Sequence, residues 1–208
     1  MIDTGAVALL HRTLLAGGVG LVPTDTIYGL AAALDSPEGV AALYALKDRP
    51  RSQPCQVLIY SPSVLDAVIA GLDTTAARAV RALLPGRVTC IVGDPQRRFI
   101  AAAGETPGSV GLRAPDMSGP ISGLDFPLIA TSANDLGGCD PAVLAEVPDR
   151  IREAVDIEVD GGRLPGTASA VIDLREVGRT SAATLIRSGP SPADVRAALE
   201  RVGVALRG

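Results

Sequence analysis

The sequence predicts a layered α+β domain, in which helices flank a mixed sheet of parallel and antiparallel strands. Segments with the apolar periodicity of helices alternate with short apolar runs typical of strands along all 208 residues. Several neighbouring strands are separated by too few residues to hold a crossover helix, which argues against a purely parallel sheet. Because the length suits one domain and no linker or repeat interrupts the chain, we treat residues 1–208 as a single domain.

Helices are predicted where a capping residue precedes an apolar stripe. Residues 3–16 place Val7, Leu10 and Leu14 on one face of the first helix. A Ser-Pro pair begins at position 36 and another at position 191, and each supplies a cap followed by Pro at the first helical position. The predicted helices span residues 3–16, 36–47, 62–70, 74–84 and 191–202.

Short apolar runs between the helices predict strands, because each run has the length of a buried strand and is bounded by turn residues. The polar segments 23–26 and 49–54 are examples of such boundaries. The strands are expected at residues 18–22, 29–34, 57–60, 87–92, 109–113, 127–131, 156–160, 169–174 and 183–187.

The composition argues against several classes of function. The three cysteines lie far apart and His11, which we expect at the surface, is the only histidine, so the chain supplies neither a zinc site nor a histidine-based nucleophilic mechanism. A net charge of −4 and few aromatic residues argue against a general nucleic-acid binder. We find no apolar run long enough to span a membrane and no signal peptide, so we expect a cytoplasmic protein.

Lys47 is the only lysine among 19 basic residues, and Asn134 is the only asparagine. A lysine presents a compact ammonium group, whereas an arginine presents a planar fork, so the two are not interchangeable. The solitary Lys47 is therefore a candidate for a site that requires an ammonium group. The alternative is a lysine that only stabilises the carboxyl end of a helix dipole.

Polar segments lie at the ends of the predicted strands, where open sheets bind ligands, and we expect them to share one sheet edge. Their hydroxyl, guanidinium and backbone N–H groups suit a polyanion such as a nucleoside triphosphate together with a smaller second ligand. Each segment could instead be an ordinary turn, except that Arg113 lies on an apolar strand and a buried Arg must be paired. The segments are 23–29, 47–54, 110–116, 130–134 and 160–169.

These segments resemble the YrdC/TsaC family of threonylcarbamoyl-AMP synthases over nearly the whole chain. The combination of K-x-R with S-x-N is specific to that family, and the lone Lys47 and Asn134 fall inside it. One departure is that Cys55, followed by Gln56, stands where the family often has Leu. The matching motifs are PTDTIYGLA at 23–31, YALKDRP at 44–50, VGLRAPD at 110–116, ATSAN at 130–134, DGG at 160–162 and LIRSG at 185–189.

The resemblance implies a twisted mixed sheet, flanked by helices and concave on its ligand-binding face. It also implies a nucleotidyltransferase that makes L-threonylcarbamoyl-AMP and pyrophosphate from L-threonine, bicarbonate and ATP. A transferase complex would then pass the threonylcarbamoyl group to the tRNA adenosine beside the anticodon. Mg²⁺ is expected to arrive with ATP, since no carboxylate cluster suggests a dedicated metal site.

The resemblance also implies a set of site residues. Lys47 and Arg49 are the expected catalytic residues, because they would neutralise charge on the phosphates. The expected threonine-binding residues are Thr26, Arg113, Thr131 and Ser169. The expected ATP-binding residues are Lys47, Arg49, Gln53, Ser109, Ser132, Asn134 and Arg187.

Two other functions remain open on the sequence. A relative of this domain could handle carbamoyl adenylate instead of the threonyl compound. Alternatively, the chain could be an RNA-binding or ribosome-assembly factor without turnover, although its net charge of −4 weighs against that role. Whether Asp25 is catalytic or structural is also left open.

Overall fold

The computed structural model describes residues 2–208, and within that range the strands form one ten-stranded sheet. The strands are β1 (Gly20–Pro23), β2 (Tyr28–Ala33), β3 (Gln56–Leu58), β4 (Val88–Gly93), β5 (Ser109–Arg113), β6 (Leu128–Ser132), β7 (Ile157–Glu158), β8 (Ala170–Asp173), β9 (Ala182–Arg187) and β10 (Ala205–Arg207). Their order across the sheet is β10-β9-β8-β4-β5-β3-β6-β2-β1-β7. Each predicted strand is present, and β10 is an additional one.

Eight α-helices and two 3₁₀ turns connect the strands of the described chain. The α-helices are α1 (Thr4–Leu15), α2 (Pro37–Leu46), α3 (Pro62–Ala70), α4 (Thr74–Leu83), α5 (Ile100–Ala103), α6 (Asp149–Arg152), α7 (Val177–Thr180) and α8 (Pro192–Arg201). The 3₁₀ turns cover Pro120–Gly123 and Leu144–Glu146. The five long helices are those that the sequence predicts. The short ones were not predicted, because four residues are too few to establish a helical period.

Capping residues fix the starts of the first two helices. The Asp3 carboxylate accepts a hydrogen bond from the backbone N–H of Ala6 at 2.9 Å. The Ser36 hydroxyl accepts one from the N–H of Gly39 at 3.1 Å, and Pro follows it at the first helical position. Each cap satisfies an N–H group that would otherwise lack a partner at the helix start.

The pairing of the strands confirms a mixed sheet. β3 runs parallel to β5 and antiparallel to β6, although all three lie side by side. β4 likewise runs antiparallel to β5 and parallel to β8. A sheet with both kinds of neighbour is compatible with the short connections seen in the sequence.

The two faces of the sheet have different environments, and β5 illustrates the contrast. Val110 and Leu112 are buried in the main hydrophobic core. The alternate residues Ser109, Gly111 and Arg113 line a cavity instead. Because successive side chains of a strand point to opposite faces, one short strand contributes to both the core and the cavity.

The cavity face is only partly covered by other elements. A second, smaller core forms there, in which Leu10 and Leu14 of α1 cluster with Val22 and Leu58 of the sheet and with Ile121 of a 3₁₀ turn. The adjoining part of the same face is left open. This open part is where the cavity forms, so the second core defines one border of the site.

Replacing Leu10 with Ala should destabilise the protein by about 2–5 kcal/mol, because the side chain is fully buried and its removal leaves a void beneath α1. The neighbouring Leu9 is 48% exposed. The matched variant Leu9→Ala should therefore change stability by less than about 1 kcal/mol. Urea unfolding of both variants measures the difference, and equal losses would contradict the packing of α1 described above.

Candidate ligand-binding site

A cavity of about 480 Å³ occupies the open part of the sheet face. It is bordered by the β1–β2 turn and by residues of β2, β3, β4, β5, β6, β8 and β9. We call the cavity-facing residues of β3, β4, β5 and β6 its floor. The predicted site residues that line the cavity are Thr26, Arg49, Ser109, Arg113, Thr131, Ser132, Ser169 and Arg187.

The expectation that these residues share one sheet edge is wrong. Because β5 and β6 run in opposite directions relative to β3, their last residues Arg113 and Ser132 lie at opposite edges of the sheet. The residues meet because alternate positions of the strands point to one face. The directions of the strands, which decide the edge, were not specified by the local sequence.

Arg113 is the most deeply buried charged group of the site, with 1% of the residue exposed. Its guanidinium group donates hydrogen bonds to the backbone carbonyl of Gly86 and to the Asp25 carboxylate. A longer contact of 3.4 Å reaches the Thr26 hydroxyl. Burial lowers the pKa of Arg113 from its ordinary value and the nearby Asp25 charge opposes this, so a group whose pKa starts so high stays protonated.

Asp25 ties the β1–β2 turn to the end of β5. One of its carboxylate oxygens accepts from Arg113 and the other accepts from the backbone N–H of Asp116 at 2.9 Å. The side chains of Asp25 and Arg113 are only 8% and 2% exposed. The geometry therefore gives Asp25 a structural role, in which it orients Arg113.

The β1–β2 turn also positions Thr26. The Thr24 hydroxyl accepts hydrogen bonds from the N–H groups of Thr26 and Ile27, both at 3.1 Å, and donates to the Ile27 carbonyl at 2.7 Å. Because that bond uses its only proton, the 2.9 Å contact between the two threonine hydroxyls has Thr26 as donor. The segment is thus a self-bonded turn, as the alternative interpretation held, and it lines the cavity as well.

Lys47, the only lysine of the sequence, is in contact with Asn134, the only asparagine. The Lys47 ammonium group donates to the backbone carbonyl of Asn134 and, at 3.2 Å, to its side-chain oxygen. The Ser132 hydroxyl donates to the same side-chain oxygen at 2.7 Å, which connects the pair to the cavity. Lys47 also lies at the carboxyl end of α2, so the helix-dipole interpretation describes its position equally well.

The surroundings of Lys47 lower the pKa of its ammonium group. Burial, together with the positive charges of Arg49 and Arg150, lowers the pKa of Lys47 to about 8. Negative phosphate groups nearby would offset the repulsion from both arginines.

Gln53 is a predicted site residue that does not line the cavity. It is half-buried in the loop before β3, outside the residues that line the cavity. Its backbone carbonyl accepts a hydrogen bond from the Tyr44 hydroxyl at 3.1 Å. Gln56 lines the cavity three residues further on.

Sequence reasoning missed two polar residues of the floor, Gln56 and Thr89. Gln56 is the first residue of β3 and Thr89 is the second of β4, and both lie outside the polar segments in which the sequence predicts ligand groups. The signal that could have found them is their polarity at alternate positions of otherwise apolar strands.

The fold and the cavity define a class: an α+β protein with a polar, small-molecule-sized cavity on one face of a mixed sheet. The sequence model of the Sua5/YciO/YrdC family, described as telomere recombination, matches residues 12–189. The chain belongs to this family.

Relatives with known names and structures agree with this assignment. The human threonylcarbamoyl-AMP synthase is 30% identical over 186 residues, which cover 85% of this chain and 65% of the human protein. The Marinobacter nauticus threonylcarbamoyl-AMP synthase is 28% identical over 175 residues, which cover 80% of this chain and 90% of that protein. The crystal structure of P. abyssi Sua5 complexed with L-threonine shares the fold, with a TM-score of 0.81 and 24% identity, and the match covers 100% of this chain and 60% of Sua5.

Two further properties bear on ligands and location. Across residues 2–208, we find no group of three or more His, Cys, Asp or Glu side chains arranged to hold a metal ion. The helices of the same range include none with the length and hydrophobicity of a membrane span.

Replacing Asp25 with Ala should destabilise the protein by about 3–5 kcal/mol, because Arg113 would be left buried without its partner. A matched control is Asp66→Ala, which removes an exposed carboxylate 3.7 Å from Arg81. The control should cost less than about 1 kcal/mol. Chemical denaturation compares the two variants, and an equally mild effect at both sites would refute the structural role of Asp25.

Proposed function

We propose that this chain is a nucleotidyltransferase that makes L-threonylcarbamoyl-AMP from L-threonine, bicarbonate and ATP and releases pyrophosphate. The observation that carries the proposal is that members of its family with this name are 28–30% identical over most of the chain, and the chain retains a cavity lined by both hydroxyl and guanidinium groups. The family relationship supports an enzyme that forms an adenylate.

The threonine end of the cavity would be formed by Thr26, Arg113, Thr131 and Ser169. A guanidinium group has five N–H donors, and the contacts of Arg113 with Gly86, Asp25 and Thr26 leave donors free for the carboxylate of an amino acid. The three hydroxyl groups suit the amine and hydroxyl of threonine.

The ATP end would be formed by Lys47, Arg49, Gln53, Ser109, Ser132, Asn134 and Arg187. Arg49 gives this assignment particular support. One of its terminal nitrogens donates to the Pro54 carbonyl at 2.6 Å, whereas its Nε is buried without a hydrogen-bond partner among the described residues. A buried N–H without a partner is costly, and a phosphate oxygen would satisfy it.

The reaction needs positioning and charge neutralisation more than acid–base catalysis. The amine of threonine and bicarbonate form a carbamate with loss of water. A carbamate oxygen then attacks the α-phosphorus of ATP, and the bond from that phosphorus to the β-phosphate bridging oxygen breaks to release pyrophosphate. Lys47 and Arg49 would stabilise the charge that moves onto the leaving phosphates.

The proposed reaction also involves a metal ion and a second enzyme. The substrate is ATP with its bound Mg²⁺, whose phosphates carry the ion into the cavity. A separate transferase complex would move the threonylcarbamoyl group to tRNA adenosine, in the cytoplasm where ATP and tRNA are available. Residues 1–208 would act as a single domain in this reaction.

Pyrophosphate release by the purified protein tests the function. Release from ATP and Mg²⁺ should require both L-threonine and bicarbonate, because the attacking group is the carbamate made from them. Replacement of threonine by serine, and of bicarbonate by carbamoyl phosphate, provides the controls. Turnover with carbamoyl phosphate alone would assign the protein to carbamoyl transfer, and no turnover in a folded sample that binds ATP would refute the synthase.

ATP affinity should depend on pH through Lys47. Below its pKa of about 8 the ammonium group is charged and attracts phosphate. As the pH rises above that value, Lys47 must take up a proton from the solvent when ATP binds, and the ATP affinity should fall by up to about tenfold per pH unit.

Calorimetric titration of ATP from neutral to moderately alkaline pH measures this dependence. The matched variant Lys47→Arg keeps its charge throughout this range, so its affinity should not change with pH. Identical pH profiles for the wild type and Lys47→Arg would rule out contact between Lys47 and the phosphates.

A further inference from the structure

Gln56 stands in the middle of the cavity floor with small residues on both sides. In the register of the sheet it lies between Gly111 of β5 and Ala130 of β6. Neither neighbour has a side chain large enough to cover it. The Gln56 side chain is half-buried and lines the cavity.

Hydrogen bonds fix the orientation of the Gln56 amide. The Thr89 hydroxyl donates its proton to Gln56 Oε1 at 3.1 Å. Because that proton is used, the 3.0 Å contact between the hydroxyls of Thr89 and Ser169 has Ser169 as donor. The chain of donors runs from Ser169 through Thr89 to Gln56, and it leaves Gln56 Nε2, which has no acceptor within residues 2–208, as a free donor at the cavity.

Gly111 makes this chain of hydrogen bonds possible. Gln56 and Thr89 lie on β3 and β4, which flank β5 on either side. A Cβ atom at Gly111 would lie 3.2 Å from Thr89 Cγ2 and 3.8 Å from Gln56 Cβ. The missing side chain therefore leaves the space through which the two polar groups meet across the intervening strand.

The position of Gln56 separates the two predicted groups of ligand residues. On β5, Arg113 lies two residues beyond Gly111 on the threonine side, and Ser109 lies two residues before it on the ATP side. All three face the cavity. The free amide of Gln56 is thus directed at the middle of the cavity, where the amino acid and the nucleotide are to be joined.

We propose that Gln56 binds the carbamate formed from threonine and bicarbonate, by donating an Nε2–H hydrogen bond to a carbamate oxygen. This inference rests on the proposed function. A neutral amide donor suits this group, since it orients the carbamate for attack without adding a charge beside the guanidinium of Arg113. The role differs from those assigned to Arg113, Lys47 and Arg49, which concern the carboxylate and the phosphates.

The test uses two variants that change the donor in different ways. Gln56→Glu keeps the size and the acceptor for Thr89 but replaces the amide donor with an anion. Gln56→Leu removes the polar group altogether. Gln96→Glu makes the same charge change at an exposed loop position and serves as the matched control.

Steady-state pyrophosphate release is measured with bicarbonate, threonine and ATP varied in turn, and thermal unfolding checks the fold. In Gln56→Leu, kcat/KM for bicarbonate should fall about tenfold or more, as expected for a lost hydrogen bond to a charged group, while KM for ATP stays within about twofold. Gln56→Glu should lose more than Gln56→Leu, because its carboxylate repels the carbamate. Gln96→Glu should match the wild type.

The results distinguish failure of the proposed function from failure of the role assigned to Gln56. A wild type that releases no pyrophosphate with threonine and bicarbonate overturns the proposed function and this inference together. An active wild type with equally active Gln56→Glu overturns the inference alone, as does a loss confined to KM for ATP in both variants. A selective loss for bicarbonate, greater in Gln56→Glu, supports it.

Discussion

A guanidinium group removed from water must have a partner, and the site of this protein is organised around that requirement. Arg113 lies at the end of a central strand, and its carboxylate partner Asp25 belongs to a turn that precedes it by 88 residues. The pair holds the turn against the cavity, and the same turn carries Thr26. Removal of either charge would leave the other buried, so the position of the turn and the form of the cavity depend on one ion pair.

Successive side chains of a strand point to opposite faces of the sheet, and this alternation places the other residues of the site. One face of the central strands is apolar and packs into the main core, whereas the other is divided between the second core and the cavity, where most of the polar residues lie. The second core beneath α1 covers only part of that polar face. The cavity therefore forms beside the second core, where polar residues replace the apolar ones on the same face of the sheet.

The sequence could predict features that depend on local order. The Ser36 cap, the long helices and the limits of β5 all follow from neighbouring residues. The requirement that Arg113 be paired was also predictable, but its partner was not. Asp25 meets it only through the tertiary fold, and the contact of Lys47 with Asn134 similarly spans 87 residues.

The direction of each strand was not predictable from the local sequence. A short apolar run has the same pattern whether its strand is parallel or antiparallel to its neighbour. The expectation of a shared sheet edge required that information, and it was wrong for Arg113 and Ser132. Gln56 and Thr89 were not predicted for a related reason, since the contribution of a polar strand residue to a site depends on which strands lie beside it.

Because Gly111 lies so close to the Thr89 methyl group, the effect of a substitution at one of these two positions depends on the residue at the other. Every replacement of glycine adds a Cβ, and here that atom would lie 3.2 Å from Thr89 Cγ2. Thr89→Ser removes this methyl group and keeps the hydroxyl that holds Gln56. We therefore expect Gly111→Ala to be tolerated more readily in a chain that already carries Thr89→Ser, in which no methyl group has to move to make room for the added Cβ.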